Sequence, residues 1–279
     1  MLVEKFKTAV EGSGENAKLQ TYIIDSSEQM KYNKRPLVLI CPGGGYGFVS
    51  DREAEVMALQ FTAMGYHAAV LTYSTYPVRY PTQILETAQA WKLIRDNSER
   101  WNVLPDKTVI LGCSAGGHLA ASYSLFCGED FVTQSVGMTS DELRPAGMIL
   151  CYPVITSGEF SHRDSFATLL GADYNNLLGT EILEKVSLEK QVTENAPPAF
   201  IWHTYTDNVV PVENSLLFAS ALRKHNVNCE MHIFPDGGHG LGLASELSQD
   251  SNGWGVQEEC KVWIRLAEVW MKNKFGIGE

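Results

Sequence analysis

Short apolar runs alternate along this chain with longer stretches in which apolar positions recur every three or four residues. Runs that are apolar at every position mark strands buried on both faces of a parallel sheet, and the stretches between them read as covering helices. The runs are Pro36–Cys41, His67–Tyr73, Thr108–Cys113, Ala146–Cys151 and Ala199–His203, with a last strand at Asn228–Phe234 and an antiparallel entry strand at Leu19–Asp25. A helix is expected from Ser50, because Ser50 and Glu53 have capping-box spacing ahead of the buried face Ala54, Met57, Ala58, Phe61 and Met64. Further helices are expected over Pro81–Trp101, Gly116–Phe126, Pro211–His225 and Trp254–Lys272. Residues 152–197 carry no strong strand and two short helical patterns, the place for a small cap. No linker, composition break or repeat interrupts residues 1–279, so one α/β domain is expected, with a mostly parallel central sheet of about eight strands flanked by helices.

Composition narrows the function. The chain has 279 residues, is 44% hydrophobic and carries a formal net charge of −11. That charge argues against nucleic acid as a partner, since phosphate binding needs a basic surface. No apolar run is long enough to cross a bilayer, so no membrane partner is expected. The N-terminal MLVEKFKTAVEGSGENAK lacks the apolar core of a secretory signal, which points to a cytoplasmic location, although a chain trimmed of a signal would look the same. The cysteines Cys41, Cys113, Cys127, Cys151, Cys229 and Cys260 have neither disulfide-framework nor zinc spacing and read as reduced thiols, with no metal site.

Candidate chemistry begins at Gly112-Cys113-Ser114-Ala115-Gly116, which joins an apolar run to an amphipathic stretch. A G-x-S-x-G sequence in a strand–turn–helix context is a nucleophile elbow, with the serine on a sharp turn and small residues two positions either side where the chain doubles back. Ser114 needs a base. His239, in Pro235-Asp236-Gly237-Gly238-His239-Gly240, follows the last strand on a glycine-flanked loop and is preferred over His67, His118, His203, His225 and His232, which lie in strands or helices or at their ends. Asp207 follows the Ala199–His203 run and completes the order Ser, Asp, His, with the task of holding the imidazole tautomer. Asp236 is its rival, three residues before His239 and too near in sequence to reach the far ring nitrogen. The loop Pro42-Gly43-Gly44-Gly45-Tyr46 matches no phosphate-binding motif. Its Gly44 and Gly45 N–H groups, with that of Ala115, are candidates for an oxyanion hole. Tyr46, Ser50, Asp51 and Tyr152 are candidate substrate contacts, Ser50 in competition with its capping task, and Tyr152, Phe160, Phe166 and Tyr174 either wall the pocket or pack the cap.

Between about residues 36 and 242 the chain resembles the α/β-hydrolase esterase/lipase family, most closely its acetyl-esterase branch, which includes xylan acetylesterases. CPGGGYGFVSDREAE, LGCSAGGHLA, CYPVITSGEF and DGGHG carry the likeness. The glycine loop is similar to the HGGG motif of hormone-sensitive-lipase-like esterases, with Pro42 where they have histidine. The resemblance implies an α/β-hydrolase fold and hydrolysis of short acyl esters, often acetyl groups on sugars or xylo-oligosaccharides, with no cofactor. The expected partner is a small-molecule or oligosaccharide ester, and the oligomeric state stays open, a homo-oligomer included. A serine peptidase of the same fold would usually bring a large gating domain. A non-catalytic binding protein on this fold would often lack the serine or the histidine.

Overall fold

The computed structural model describes residues 1–279. The strands are β1 (Lys5–Lys7), β2 (Lys18–Tyr22), β3 (Leu37–Cys41), β4 (His67–Thr72), β5 (Val109–Cys113), β6 (Gly147–Cys151), β7 (Ala199–Thr204) and β8 (Cys229–Phe234). They form one sheet in the order β1-β2-β4-β3-β5-β6-β7-β8. β2 is antiparallel to β1 and β4, and all pairings from β4 to β8 are parallel. The fold is the mostly parallel, helix-flanked α/β sheet that the apolar runs imply. Only β1 has no counterpart among those runs, because an edge strand reading Lys-Phe-Lys buries too little to stand out.

Side chains alternate across the sheet as the pleat requires. Leu37, Leu39 and Cys41 enter one core layer, and Val38 and Ile40 enter the other. Helices Thr82–Asp96, Ala115–Phe126 and Glu213–Lys224 close the first layer through Trp91, Leu119 and Phe218. Helices Glu55–Ala63 and Trp263–Phe275 close the second through Phe61, Trp263 and Met271.

Three boundaries differ from the sequence expectation. The helix expected from Ser50 starts at Glu55 after a 3₁₀ turn, Asp51–Glu53, and the Ser50 side chain makes no capping bond. The Pro81–Trp101 helix breaks at Asn97 into Thr82–Asp96 and a short turn, Ser98–Trp101. The last helix begins at Trp263 rather than Trp254, because Gly253 and Gly255 take φ values of 88° and 104° that no helix tolerates.

Segment 152–197 is laid onto the body rather than poised over it. Phe166, Leu169, Leu183 and Val186 share the core layer of helix Ala115–Phe126, and Tyr174 Oη donates to the Ser157 carbonyl. Asn214 ties the start of the segment down: its Oδ1 accepts the N–H groups of Ile155 (2.8 Å) and Thr156 (3.0 Å).

The parallel register has one consequence for chemistry. Cys41 pairs with Gly112, Cys113 with Cys151, Cys151 with Trp202, and Thr204 with Phe234, so the carboxyl ends of these strands lie along one edge. The connections leaving that edge are where open α/β sheets place their sites.

Two buried histidines tie connections together as neutral rings. His118 Nδ1 accepts from Tyr46 Oη (2.8 Å), and its Nε2–H donates to the Val186 carbonyl (2.9 Å). His67 Nδ1 accepts from the Ile24 N–H (3.1 Å), and its Nε2–H faces the Asn102 carbonyl (3.2 Å). Burial pushes each ring down to about 4, against the partial opposition of the accepting carbonyl. The unfolded chain, with histidine near 6.5, therefore binds more protons than the folded one between those values. Stability is complete above the unfolded value and is lost as pH falls through this window. The thermal midpoint is expected to drop between about pH 7 and about pH 4.5. His118→Gln, which takes up no proton, should show a smaller drop, and an equal drop would remove His118 from the explanation.

Candidate active site

Ser114 sits at the turn between β5 and helix Ala115–Phe126 with φ 54° and ψ −121°. Such a backbone is strained for a residue with a Cβ, and it persists only where packing over-determines it. The packing is severe. A Cβ on Gly112 would lie 2.1 Å from the Gly116 carbonyl oxygen, and one on Gly116 would lie 2.1 Å from the oxygen of Cys41 and 2.3 Å from that of Pro42. Glycine is required at both positions, and the elbow is pressed against the loop that leaves β3.

From this turn Ser114 Oγ reaches His239 Nε2 at 2.7 Å, and His239 Nδ1 reaches Asp207 Oδ2 at 2.7 Å. His239 lies in the connection after β8 and Asp207 in the one after β7. With Nδ1–H donated to the carboxylate, the Nε2 lone pair faces the serine hydroxyl. The tautomer follows from the partners. Asp207 Oδ1 accepts the N–H groups of Val209 (2.9 Å) and Val210 (3.0 Å). His203 Nε2 stands 3.3 Å from Oδ2 while donating to the Val210 carbonyl at 3.0 Å, and its Nδ1 accepts from Ser215 Oγ at 2.8 Å. Burial alone would raise the Asp207 carboxyl. Hydrogen bonds from His203, His239 and the Val209 N–H outweigh it and hold the group well below the usual carboxylate range. Asp207 is an anion when the site works.

The glycine loop divides its donors. The Gly43 N–H is bound to Glu53 Oε2 at 2.7 Å. Those of Gly44, Gly45 and Ala115 make no hydrogen bond within the protein. Gly44 has φ 129°, and a Cβ there would lie 2.1 Å from the Phe48 carbonyl oxygen. A cavity of about 340 Å³ is lined by Gly44, Gly45, Ser114, His239 and Gly240, and also by Phe48, Ser50, Arg52, Glu53, His162 and Val209.

The substrate contacts expected from sequence need correction. Tyr46 is 2% exposed and bonds His118, so it supports the loop from behind. Asp51 faces solvent in its 3₁₀ turn and lines no part of the cavity. Tyr152 is 1% exposed; its ring stands edge-on to His239 with centroids 5.3 Å apart, and its hydroxyl is taken by Glu53. Phe166 and Tyr174 pack the cap segment and do not wall the cavity. Of the two roles open to Ser50, the structure gives the second: its side chain caps no helix, and the residue lines the cavity. Phe48, Arg52, His162 and Val209 escaped sequence reasoning because each reaches the cavity from a loop without periodicity. The one available signal was their nearness in sequence to the glycine loop, the cap entry and Asp207.

Comparison with known proteins agrees with this architecture. The BD-FAE family model matches residues 24–222. Endo-1,4-beta-xylanase B of Butyrivibrio fibrisolvens is 42% identical over 225 residues, 79% of this chain and 34% of that protein. Acetylxylan esterase of Xylanibacter ruminicola is 30% identical over 223 residues, 76% of this chain and 44% of that protein. The chain thus spans between a third and a half of the length of these curated relatives. The crystal structure of the acetyl ester-xyloside bifunctional hydrolase from Caldicellulosiruptor lactoaceticus superposes with a TM-score of 0.81 at 38% identity, covering 94% of this chain and 89% of that one. With the family model matching most of this chain and a solved structure this similar across nearly the whole fold, the chain belongs to the BD-FAE family of α/β-hydrolase esterases.

Proposed function

We propose that the protein is a serine esterase that removes short acyl groups, acetyl above all, from small esters and acetylated xylo-oligosaccharides. The observation that carries this reading is the unbroken line Ser114 Oγ, His239, Asp207 at 2.7 Å per link, beside unpaired N–H groups on the glycine loop and the elbow. His239 Nε2 takes the Ser114 proton as Oγ attacks the ester carbonyl. The Gly44, Gly45 and Ala115 N–H groups receive the oxyanion. As the tetrahedral intermediate collapses, the C–O bond to the alcohol breaks and His239 returns the proton to the leaving oxygen. Water then attacks the acyl-serine by the same route, releasing the acid and restoring Ser114. Asp207 holds the ring and stabilises its protonated form throughout.

Two features support the substrate class. The cavity of about 340 Å³ is small, and its polar side chains Ser50, Arg52 and His162 suit a hydroxylated alcohol better than a lipid chain. Relatives named acetylxylan esterase and acetyl ester-xyloside hydrolase point the same way.

Turnover of p-nitrophenyl acetate should exceed that of the octanoate. Ser114→Ala should lower kcat by at least about 10⁴-fold and abolish labelling by a fluorophosphonate probe. Equal turnover by wild type and variant would sink the site assignment, and a wild type that takes no label would favour a binding protein. Asp207→Asn, which keeps the shape but permits the wrong imidazole tautomer, should reduce kcat by about 10⁴-fold; a loss below tenfold in stopped-flow turnover would mean that Asp207 does not orient His239.

A further inference from the structure

Glu53 is a buried carboxylate at the edge of the cavity lining, 3% exposed, for which the proposed chemistry has no direct use. Its two oxygens are divided between two loops. Oε2 accepts the Gly43 N–H at 2.7 Å. Oε1 accepts from Tyr152 Oη at 2.7 Å, and that same Oη accepts the Gly242 N–H at 2.9 Å. Gly242 is three residues beyond His239, and the Tyr152 ring meets the His239 ring edge-on at 76°. The neighbouring Arg52 makes a parallel tie: its Nε donates to the Ser248 carbonyl at 2.6 Å, while Ser248 Oγ accepts the Leu243 N–H at 2.9 Å.

The tie at Gly43 acts on a whole peptide group. The carbonyl of that group belongs to Pro42 and accepts from Tyr73 Oη at 2.7 Å. The peptide between Pro42 and Gly43 is therefore held from both sides, at its oxygen by Tyr73 and at its N–H by Glu53. The two residues that follow are glycines with φ of 129° and 60°, the softest backbone in the chain just where donors must be aimed. A run of glycines aims its N–H groups only if the peptide before it is fixed. Where related motifs carry a histidine this chain has Pro42, and the fixing is done by flanking side chains instead.

We propose that Glu53 and Tyr152 are positioning residues: the strut Gly43–Glu53–Tyr152–Gly242 sets the oxyanion donors and His239 at one working separation and acts as a unit. The proposal rests on the esterase reading above. Tyr152 is outside the cavity lining, and both oxygens of Glu53 are taken up by Gly43 and Tyr152. Both act through the loops they join.

The test uses the full chain as wild type, Glu53→Gln, Tyr152→Phe and the double variant, each checked for native circular dichroism. Gln at 53 has one acceptor oxygen in place of two and cannot accept from both the Gly43 N–H and the Tyr152 hydroxyl, and Phe at 152 removes that hydroxyl, so each single change weakens the same connection. Each should lower kcat for p-nitrophenyl acetate by roughly 10- to 100-fold, with KM changed by less than about threefold. Affinity for a trifluoromethyl ketone, which adds to Ser114 and places an oxyanion in the hole, should fall by a similar factor. The double variant should be within about threefold of the worse single variant. A folded Glu53→Gln with kcat within about threefold of wild type, or losses that multiply in the double variant, overturns the strut and leaves the esterase intact. A wild type that turns over no ester overturns both. If Glu53→Gln does not fold, Tyr152→Phe decides alone by the same kcat, KM and ketone criteria.

Discussion

The closeness of the elbow to the end of β3 is the constraint from which the site follows. Gly116 lies so near the carbonyls of Cys41 and Pro42 that no side chain fits between them. That contact presses the turn carrying Ser114 against the glycine loop, and it brings a nucleophile and backbone donors into one cavity wall. It also forces Ser114 into left-handed backbone, which throws Oγ clear of the sheet. The parallel register supplies the rest, because strands that end along one edge deliver the Asp207 and His239 loops to the same place.

A buried anion at the far end of the line is the second demand. Asp207 is surrounded by donors: His239 and His203 on one oxygen, Val209 and Val210 N–H groups on the other. These hold the carboxylate ionised despite burial, which keeps His239 in a single tautomer with its free nitrogen toward Ser114. Glu53 is a second buried acid with partners of its own. It receives one N–H and one O–H, each from a different loop, and so converts the burial of an acid into a link between them. Two carboxylates thus flank the reacting centre, one oriented on the base and one on the oxyanion loop.

Much of this was legible along the chain for a simple physical reason. Strands buried on both faces must be apolar at every position, so β3 through β7 announce themselves as runs, and the loops after them follow by position. Ser114 and Asp207 each stand in the first residues after such a run, and His239 stands in the glycine loop after the last strand, where glycine and turn residues leave little else that could do the chemistry. Gly112 and Gly116 were legible for the same reason, since a sharp turn admits no bulk. Tyr46 and Tyr152 were misread because an aromatic beside a glycine loop or a strand end looks the same in sequence whether it faces the cavity or the core.

The sequence by itself determined the order and type of the elements, the elbow and the loops that carry the line of three residues, because periodicity and turn chemistry are local. Only the tertiary structure decided which way side chains in aperiodic segments point. Ser50 and Glu53 have the spacing of a helix cap, yet the turn rotates Glu53 into the core, where Gly43 and Tyr152 offer it better partners than its own helix does. Those partners lie 10 and 99 residues away in the chain, a separation that no local pattern records.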